Sequence, residues 1–424
     1  MNKIIQGDCL DKLKELEDNS IDSIVTDPPY ELGFMGKSWD STGIANNVDM
    51  WKECLRVLKP GGHLLAFSGT RTYHRMASAI EDAGFEVRDM IEWVYGSGFP
   101  KSLNIGKAVD KLQGNERKIV GEKRTPDGKT WSERRPNGDI TGYVGNGENK
   151  KENTQGIETK GTSEWEGWGT ALKPAHEPIC MARKPLSEKT VAENCLKWGT
   201  GGINIDESRV GTEQTITRGR SSGGTYDIGL NNPEFTQTNT GRFPANLIHD
   251  NSEEVRECFP SPHGAGHKRE KFIGNTGSKN INIGGGITAN RFGDSGNASR
   301  FFKSIIYQAK ASKSERNRGC EGLEEKTSPN NLCSGSVQKS GEGTRLDGKP
   351  LAKNTNNHPT VKPIALMEYL IKMVTKPGGV VLDPFAGSGS TLVAAKQNGF
   401  QYIGIEMTEE YIPIIEARLS VNKD

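Results

Sequence analysis

The chain has 424 residues, enough for two or three domains, and its net charge of +1 excludes a uniformly basic nucleic-acid coat. Only 33% of it is hydrophobic, and its 52 glycines are unevenly spread. No apolar run is long enough to span a bilayer and MNKIIQGDCLDKL lacks a signal-peptide layout, so a soluble, cytosolic protein is expected.

At the N-terminal end, KIIQGD reads as a short buried strand ending in Asp8, and CLDKLKEL sets Leu10, Leu13 and Leu16 at helical spacing. Asp8 suits the N-cap of that helix as well as it suits a ligand contact. The strand IDSIVT follows and breaks off into Asp27-Pro28-Pro29-Tyr30. Both prolines lack an N–H and fix φ, and the first of them pushes Asp27 toward an extended conformation. The exit is therefore rigid. It presents the Asp27 carboxylate, the carbonyls around Pro28 and the Tyr30 ring at fixed positions, with few backbone donors to satisfy them. Taken alone, the corner is equally a turn with a surface tyrosine. Phe34 and Trp39 then belong either to a pocket beside it or to the core.

VDMWKECLRVLKPGG reads as an amphipathic helix stopped by Pro60 and Gly61, with HLLAFSG as the next strand. HRMASAIEDAGFEV and RDMIEWVYG make a further helix and strand. Alternation of this kind implies an open parallel sheet with helices on both faces. From about 101 to 350 the pattern dissolves: glycine, asparagine, threonine and serine are dense, and apolar runs such as PICMARKP, RFPANLIHD and RFFKSIIYQAKAS are isolated. Residues 101–160 hold 13 Lys or Arg against 9 Asp or Glu, with Trp131 and Tyr143 among them. A solvated insert and a nucleic-acid-facing one fit equally. The expected organisation is 1–100 and 351–424 as two halves of one domain around an insert at 101–350, with 172–187 returning to the core sheet. The seven scattered cysteines (Cys9, Cys54, Cys180, Cys195, Cys258, Cys320, Cys333) include no C-x-x-C pair, so reduced thiols are expected. Cys258, His263 and His267 are spaced like zinc ligands but lack a fourth, and no metal is expected.

Regularity returns in PIALMEYLIKMV, a helix closed by Lys376-Pro377-Gly378-Gly379, followed by strand VVLDPF, loop AGSGS, helix TLVAAKQNG, strand QYIGIE and helix EEYIPIIEARL. Gly387 and Gly389, between strand and helix, let a ligand approach the backbone and the free N–H groups of a helix start. Glu406 ends the next strand, where a carboxylate lies beside a ribose in doubly wound nucleotide-binding folds. No third glycine follows and no Walker lysine is present, which argues against a pyrophosphate. Asp383 repels phosphate but suits an ammonium group, such as the methionine end of S-adenosylmethionine. That chemistry points to methyl transfer.

Asp27-Pro28-Pro29-Tyr30 together with Asp383-Pro384-Phe385-Ala386-Gly387-Ser388-Gly389 resembles the amino-methylating DNA methyltransferases. The order of corner, variable middle and glycine loop resembles their β group, as does HPTVKP (His358 to Pro363) ahead of the loop. LKPAHEPICMARKP, GRFPANLIHD and RFFKSIIYQAKASKSER look like phage or prophage adenine-methylase relatives. The resemblance implies a Rossmann-like methyltransferase sheet, circularly permuted, with an inserted target-recognition region. If VVLDPF and QYIGIE are followed in space by KIIQGD and then IDSIVT, β-α alternation is restored, the termini are neighbours, and Asp8, Asp27, Glu406 and the glycine loop share one sheet edge. The implied catalytic residues are Asp27, Pro28, Pro29 and Tyr30. The implied cofactor contacts are Asp8 near the adenine of S-adenosylmethionine, Glu406 at its ribose, Asp383, Phe385, Gly387 and Gly389 around its methionine part, and Lys362 at its carboxylate. The implied substrate is a flipped-out adenine N6 amine in double-stranded DNA. Asp rather than Ser at the head of the corner resembles adenine enzymes, with cytosine N4, a protein amide or RNA amine, and a non-catalytic DNA-binding module as alternatives. Trp165, Trp168 and Trp198 are candidates for reading a groove. A homodimer and a cognate restriction endonuclease are open as partners.

Overall fold

A computed structural model of the chain describes residues 2–33, 38–96, 98, 102–124, 130, 143–144, 151–152, 157–218, 236–261, 297–305, 313–327 and 353–421. Phe34, Trp131, His263, His267 and Cys333 lie outside the described residues, and the side chains of Trp39 and Tyr143 are also outside them. The six described cysteines are free thiols. No helix among the described residues is long and apolar enough to cross a membrane.

The N-terminal stretch folds as β1 (Asn2–Gln6), α1 (Cys9–Leu13), β2 (Ile21–Thr26), α2 (Val48–Val57), β3 (Leu58–Phe67), α3 (Tyr73–Asp82) and β4 (Glu86–Val94). The middle contributes β5 (His176–Arg183), α5 (Val191–Trp198), β6 (Leu247–His249) and β7 (Lys303–Ser304) to the regular frame, besides helix α4 (Ile105–Gln113) and separate hairpins. The end of the chain supplies α6 (Ile364–Val374), β8 (Val380–Asp383), α7 (Ser390–Gln397), β9 (Gln401–Glu406) and α8 (Ile412–Ser420). Helix α2 stops at Val57, before the proline expected to end it, because Leu58 already pairs with Ile21 and LKPGG enters the sheet as the start of β3.

These strands form one nine-stranded sheet among the described residues, in the order β1-β9-β8-β2-β3-β5-β4-β6-β7. Alternate side chains feed two cores. Val25, Leu65, Phe67 and Ile179 pack with α6 and α7 on one face, while Ile24, Leu64, Ala66 and Cys180 pack with α1, α2 and α3 on the other. Two features depart from the sequence expectation. The strand KIIQ lies at one edge beside β9, and VVLD sits directly against IDSIVT rather than KIIQ doing so. Burial explains the order: all six residues of β2 and three of four in β8 are buried, as interior strands must be, whereas no residue of β1 is fully buried, which suits an edge. The sheet is also not wholly parallel, since β5 runs antiparallel to both β3 and β4. Strand β4 ends at the carboxyl edge and the chain re-enters from that same edge, where the Tyr95 N–H donates to the Ala175 carbonyl at 2.8 Å. A strand entering there has to run backwards.

Candidate active site

Strands β1, β9, β8, β2 and β3 all run the same way, so the residues that leave them converge on one edge. A cavity of about 1260 Å³ opens there, lined by Asp8, Asp27 to Tyr30, Lys362, Asp383 to Ser388 and Glu406, and also by Glu177 and 170–175. Its volume exceeds what one small ligand fills, and leaves room for two side by side.

The corner is held from several sides. Beyond Tyr30 the chain turns through Glu31 at φ +55°, a left-handed conformation for a residue with a side chain. That turn is fastened by Asp40, whose carboxylate accepts the N–H groups of Glu31 at 3.1 Å and Leu32 at 3.2 Å. The Thr72 hydroxyl donates to the Tyr30 carbonyl at 2.7 Å. Inside the corner, the Lys362 ammonium lies 2.9 Å from Asp27 Oδ2 and 3.1 Å from Glu177 Oε2, and donates to the Tyr30 hydroxyl at 3.0 Å. The phenol donates in turn to Glu177 Oε2 at 3.1 Å. Burial opposes the charge on Lys362, but the two carboxylates outweigh it and hold the ammonium above its ordinary range. Burial, with the negative charges of Asp27 and Glu177, pushes the Tyr30 phenol well up, so it stays a neutral donor. Asp27 Oδ1 is buried and has no hydrogen-bond partner among the described residues. A buried carboxylate oxygen left bare costs about 1–3 kcal/mol or more.

The glycine loop forms the neighbouring wall. Glu406 accepts the Gly387 N–H at one oxygen and the Thr408 N–H at the other, both at 2.8 Å, so its carboxylate is fixed in orientation with lone pairs to spare. Burial raises it nonetheless. Gly387 has φ +54°, and a Cβ there would come within 2.9 Å of the His358 ring. Gly389 has φ +78° and caps α7, where a Cβ would meet Ile415 at 2.9 Å. Arg418 of α8, itself buried, donates to the Ser388 carbonyl at 2.6 Å and braces the loop from behind. Asp383 accepts from Thr26 Oγ1 at 2.6 Å and from the Phe385 N–H at 3.1 Å. Burial pushes its carboxyl up to about 6 against those hydrogen bonds, with the Asp27 charge adding to the rise. Asp8 caps α1, accepting the Leu10 N–H at 2.9 Å, and it also lines the cavity.

The eleven residues implied as catalytic or cofactor contacts therefore line or frame one cavity. Lys362 sits elsewhere in it than expected: its ammonium is taken up by Asp27 and Glu177 at the corner rather than standing free for a ligand carboxylate. Glu177 and Asp40 are additions. Glu177 lies in LKPAHEPICMARKP, whose apolar core marks a strand but whose direction alone decides that its first residues meet the site. Trp165 and Trp168 stack edge to face, 5.1 Å between centroids, in the segment leading to the cavity wall at 170–175, whereas Trp198 closes α5 and donates to Ser187 Oγ.

Several known proteins resemble the chain. The sequence profile of a DNA methylase family matches residues 21–417. The type II methyltransferase M.HindIII of Haemophilus influenzae is 22% identical over 466 aligned residues, taking in 99% of this chain and 96% of that protein. The DNA adenine methyltransferase YhdJ of Escherichia coli is 49% identical over 65 residues, 15% of this chain. The chain spans only 22% of the length of YhdJ, and 28% of each of two further relatives. Among solved structures, the PvuII DNA methyltransferase (cytosine-N4-specific) is 13% identical with a TM-score of 0.43, covering 100% of this chain and 88% of that one.

Proposed function

The chain belongs to the DNA methylase family, and from that premise we propose that it transfers a methyl group from S-adenosylmethionine to the N6 amine of adenine in double-stranded DNA. The donor set fits that cofactor. Asp8, Asp27, Asp383 and Glu406 make the cavity hostile to phosphates, and a buried carboxyl at Asp383 beside the positive-φ glycines suits an ammonium group. In this reading Glu406 and Asp8 hold the nucleoside part, and Asp383, Phe385, Gly387 and Gly389 hold the methionine part. When bound, S-adenosylmethionine supplies an electrophilic methyl group.

What the chain itself contributes is position and charge. The exocyclic amine is a poor nucleophile because its lone pair is delocalised into the ring. Asp27 Oδ1 and the Pro28 carbonyl each accept one amine hydrogen, which favours a pyramidal nitrogen with its lone pair aimed across the cavity. Pro29 adds no competing N–H. The displacement is in line, and the site acts through orientation and electrostatics. Once methylated, the nitrogen is cationic and acidic, and its proton leaves toward Asp27. The base has to be flipped out of the duplex at a cost of a few kcal/mol, which stacking on Tyr30 offsets by about 1–3 kcal/mol. Trp165, Trp168 and the fully exposed Leu172 lie on the segment at the cavity mouth and supply contacts to the DNA around the base. The reading places the protein in the cytoplasm, with a second copy of itself and a cognate restriction endonuclease as the partners to look for.

The buried Asp27 Oδ1, left without a partner in a residue that lines the cavity, is the observation that carries this reading. The test is to incubate the protein with unmethylated duplex DNA and labelled donor, digest, and separate the nucleosides. Label in N6-methyladenine is expected. Label in N4-methylcytosine contradicts the choice of base, and label confined to protein or RNA contradicts the choice of substrate.

A further inference from the structure

Lys362 is nine-tenths buried, yet it is not alone with its counter-ion. Its ammonium touches Asp27, Glu177 and the Tyr30 hydroxyl, and it lies 5.3 Å from the Tyr30 ring centroid and 4.9 Å from that of Phe67. One positive charge thus stands between two carboxylates in a site walled by aromatic rings. One oxygen of Asp27 is engaged by Lys362, and the other, in a residue that lines the cavity, is buried with no hydrogen-bond partner among the described residues. Tyr30 is tied at both ends of its hydroxyl, accepting from Lys362 and donating to Glu177.

We infer that Lys362 and Glu177 form a positioning pair, in which Lys362 anchors Asp27 Oδ2 so that Oδ1 alone faces the target amine, and Glu177 anchors Lys362 and the Tyr30 ring. The inference rests on the methyl-transfer reading and assigns Lys362 to the target base rather than to the methyl donor. Neither residue touches the reacting atoms. Without the ammonium, Asp27 and Glu177 become like charges in one buried site, and they retain a shared proton to higher pH. A protonated Asp27 is a poorer acceptor for the amine. The other titratable groups facing this cluster are Asp383 beyond Asp27, His358 on the segment leading to Lys362, and the Tyr30 phenol, and all are unchanged in the variants below.

The test compares single-turnover transfer to duplex DNA against pH for wild type, K362M, K362M/E177Q and K362R, with donor affinity measured in parallel. In K362M the acid limb moves up by at least one pH unit while donor affinity stays within about threefold. Adding E177Q removes the second carboxylate and moves the limb back toward wild type, and K362R holds it throughout. K362Q replaces K362M if the latter does not fold. A K362M profile that matches wild type, a uniform loss at every pH that E177Q does not relieve, or a collapse of donor affinity overturns the inference. Wild type that transfers nothing overturns the functional reading and this inference with it.

Discussion

Asp383 is a carboxyl that folding pushes away from its charged form. Its carboxyl ordinarily titrates near 3.8 and is raised to about 6 by burial. Between those values the folded chain holds a proton that the unfolded chain has released. The contribution of this group to stability is therefore fully present below about pH 4 and is lost as pH rises through about 6. An ammonium ligand reverses the preference, because it needs the ionised carboxylate. Titration calorimetry should find donor affinity falling as pH drops below about 6. Asp383→Asn should bind about tenfold or more weakly at pH 7.5, in line with a hydrogen bond to a charged group, and should lose that pH dependence. Unchanged affinity in the variant would remove Asp383 from the donor site. Asp27, Asp383 and Glu406 were legible as candidates because each sits at or just past a strand end, and Gly387 and Gly389 because they lie in the short loop between a strand and a helix. The place of Lys362 was not: four rotatable bonds of side chain decide which end of the cavity its ammonium reaches, and HPTVKP records only that it is near.

At the scale of elements, the reversal of β5 is what brings Glu177 into the site. A strand antiparallel to its neighbours delivers its first residues to the edge where theirs deliver their last, so Glu177 meets Asp27 and Lys362. Apolar pattern reveals a strand but not its direction, which is why this residue escaped the sequence. Asp40 escaped for a related reason, since its role is to hold a loop closed over nine residues by two backbone hydrogen bonds. Asp40→Ala leaves the N–H groups of Glu31 and Leu32 without that acceptor, at a cost of about 1 kcal/mol each, since Leu32 is exposed and Glu31 only half-buried. The expected result is a raised KM for duplex DNA and earlier proteolysis within 30–40, with donor affinity unchanged. A variant with wild-type KM would show that the exit of the corner needs no such fastening.

For the whole molecule, the site exists because the two ends of the chain share one sheet. The corner follows β2 and the glycine loop follows β8; these strands are neighbours, and the Thr26 to Asp383 hydrogen bond joins them beside the cavity. The alternation of strands and helices at both ends was readable from hydrophobic period alone. The lateral order of the strands was not, because strands such as IDSIVT, VVLD and QYIGIE each have the apolar character to pair with several others, and only relative burial separates interior from edge. The shared edge is the basis of the central claim, that the Asp27 corner accepts the amine while the glycine loop holds the donor. Single-turnover transfer by Asp27→Ala, measured beside its affinity for S-adenosylmethionine, tests it most directly. The account predicts affinity within about threefold of wild type and transfer to duplex DNA reduced by at least a hundredfold, the order expected when a preorganised hydrogen-bonding group is removed. Wild-type transfer from Asp27→Ala would contradict it.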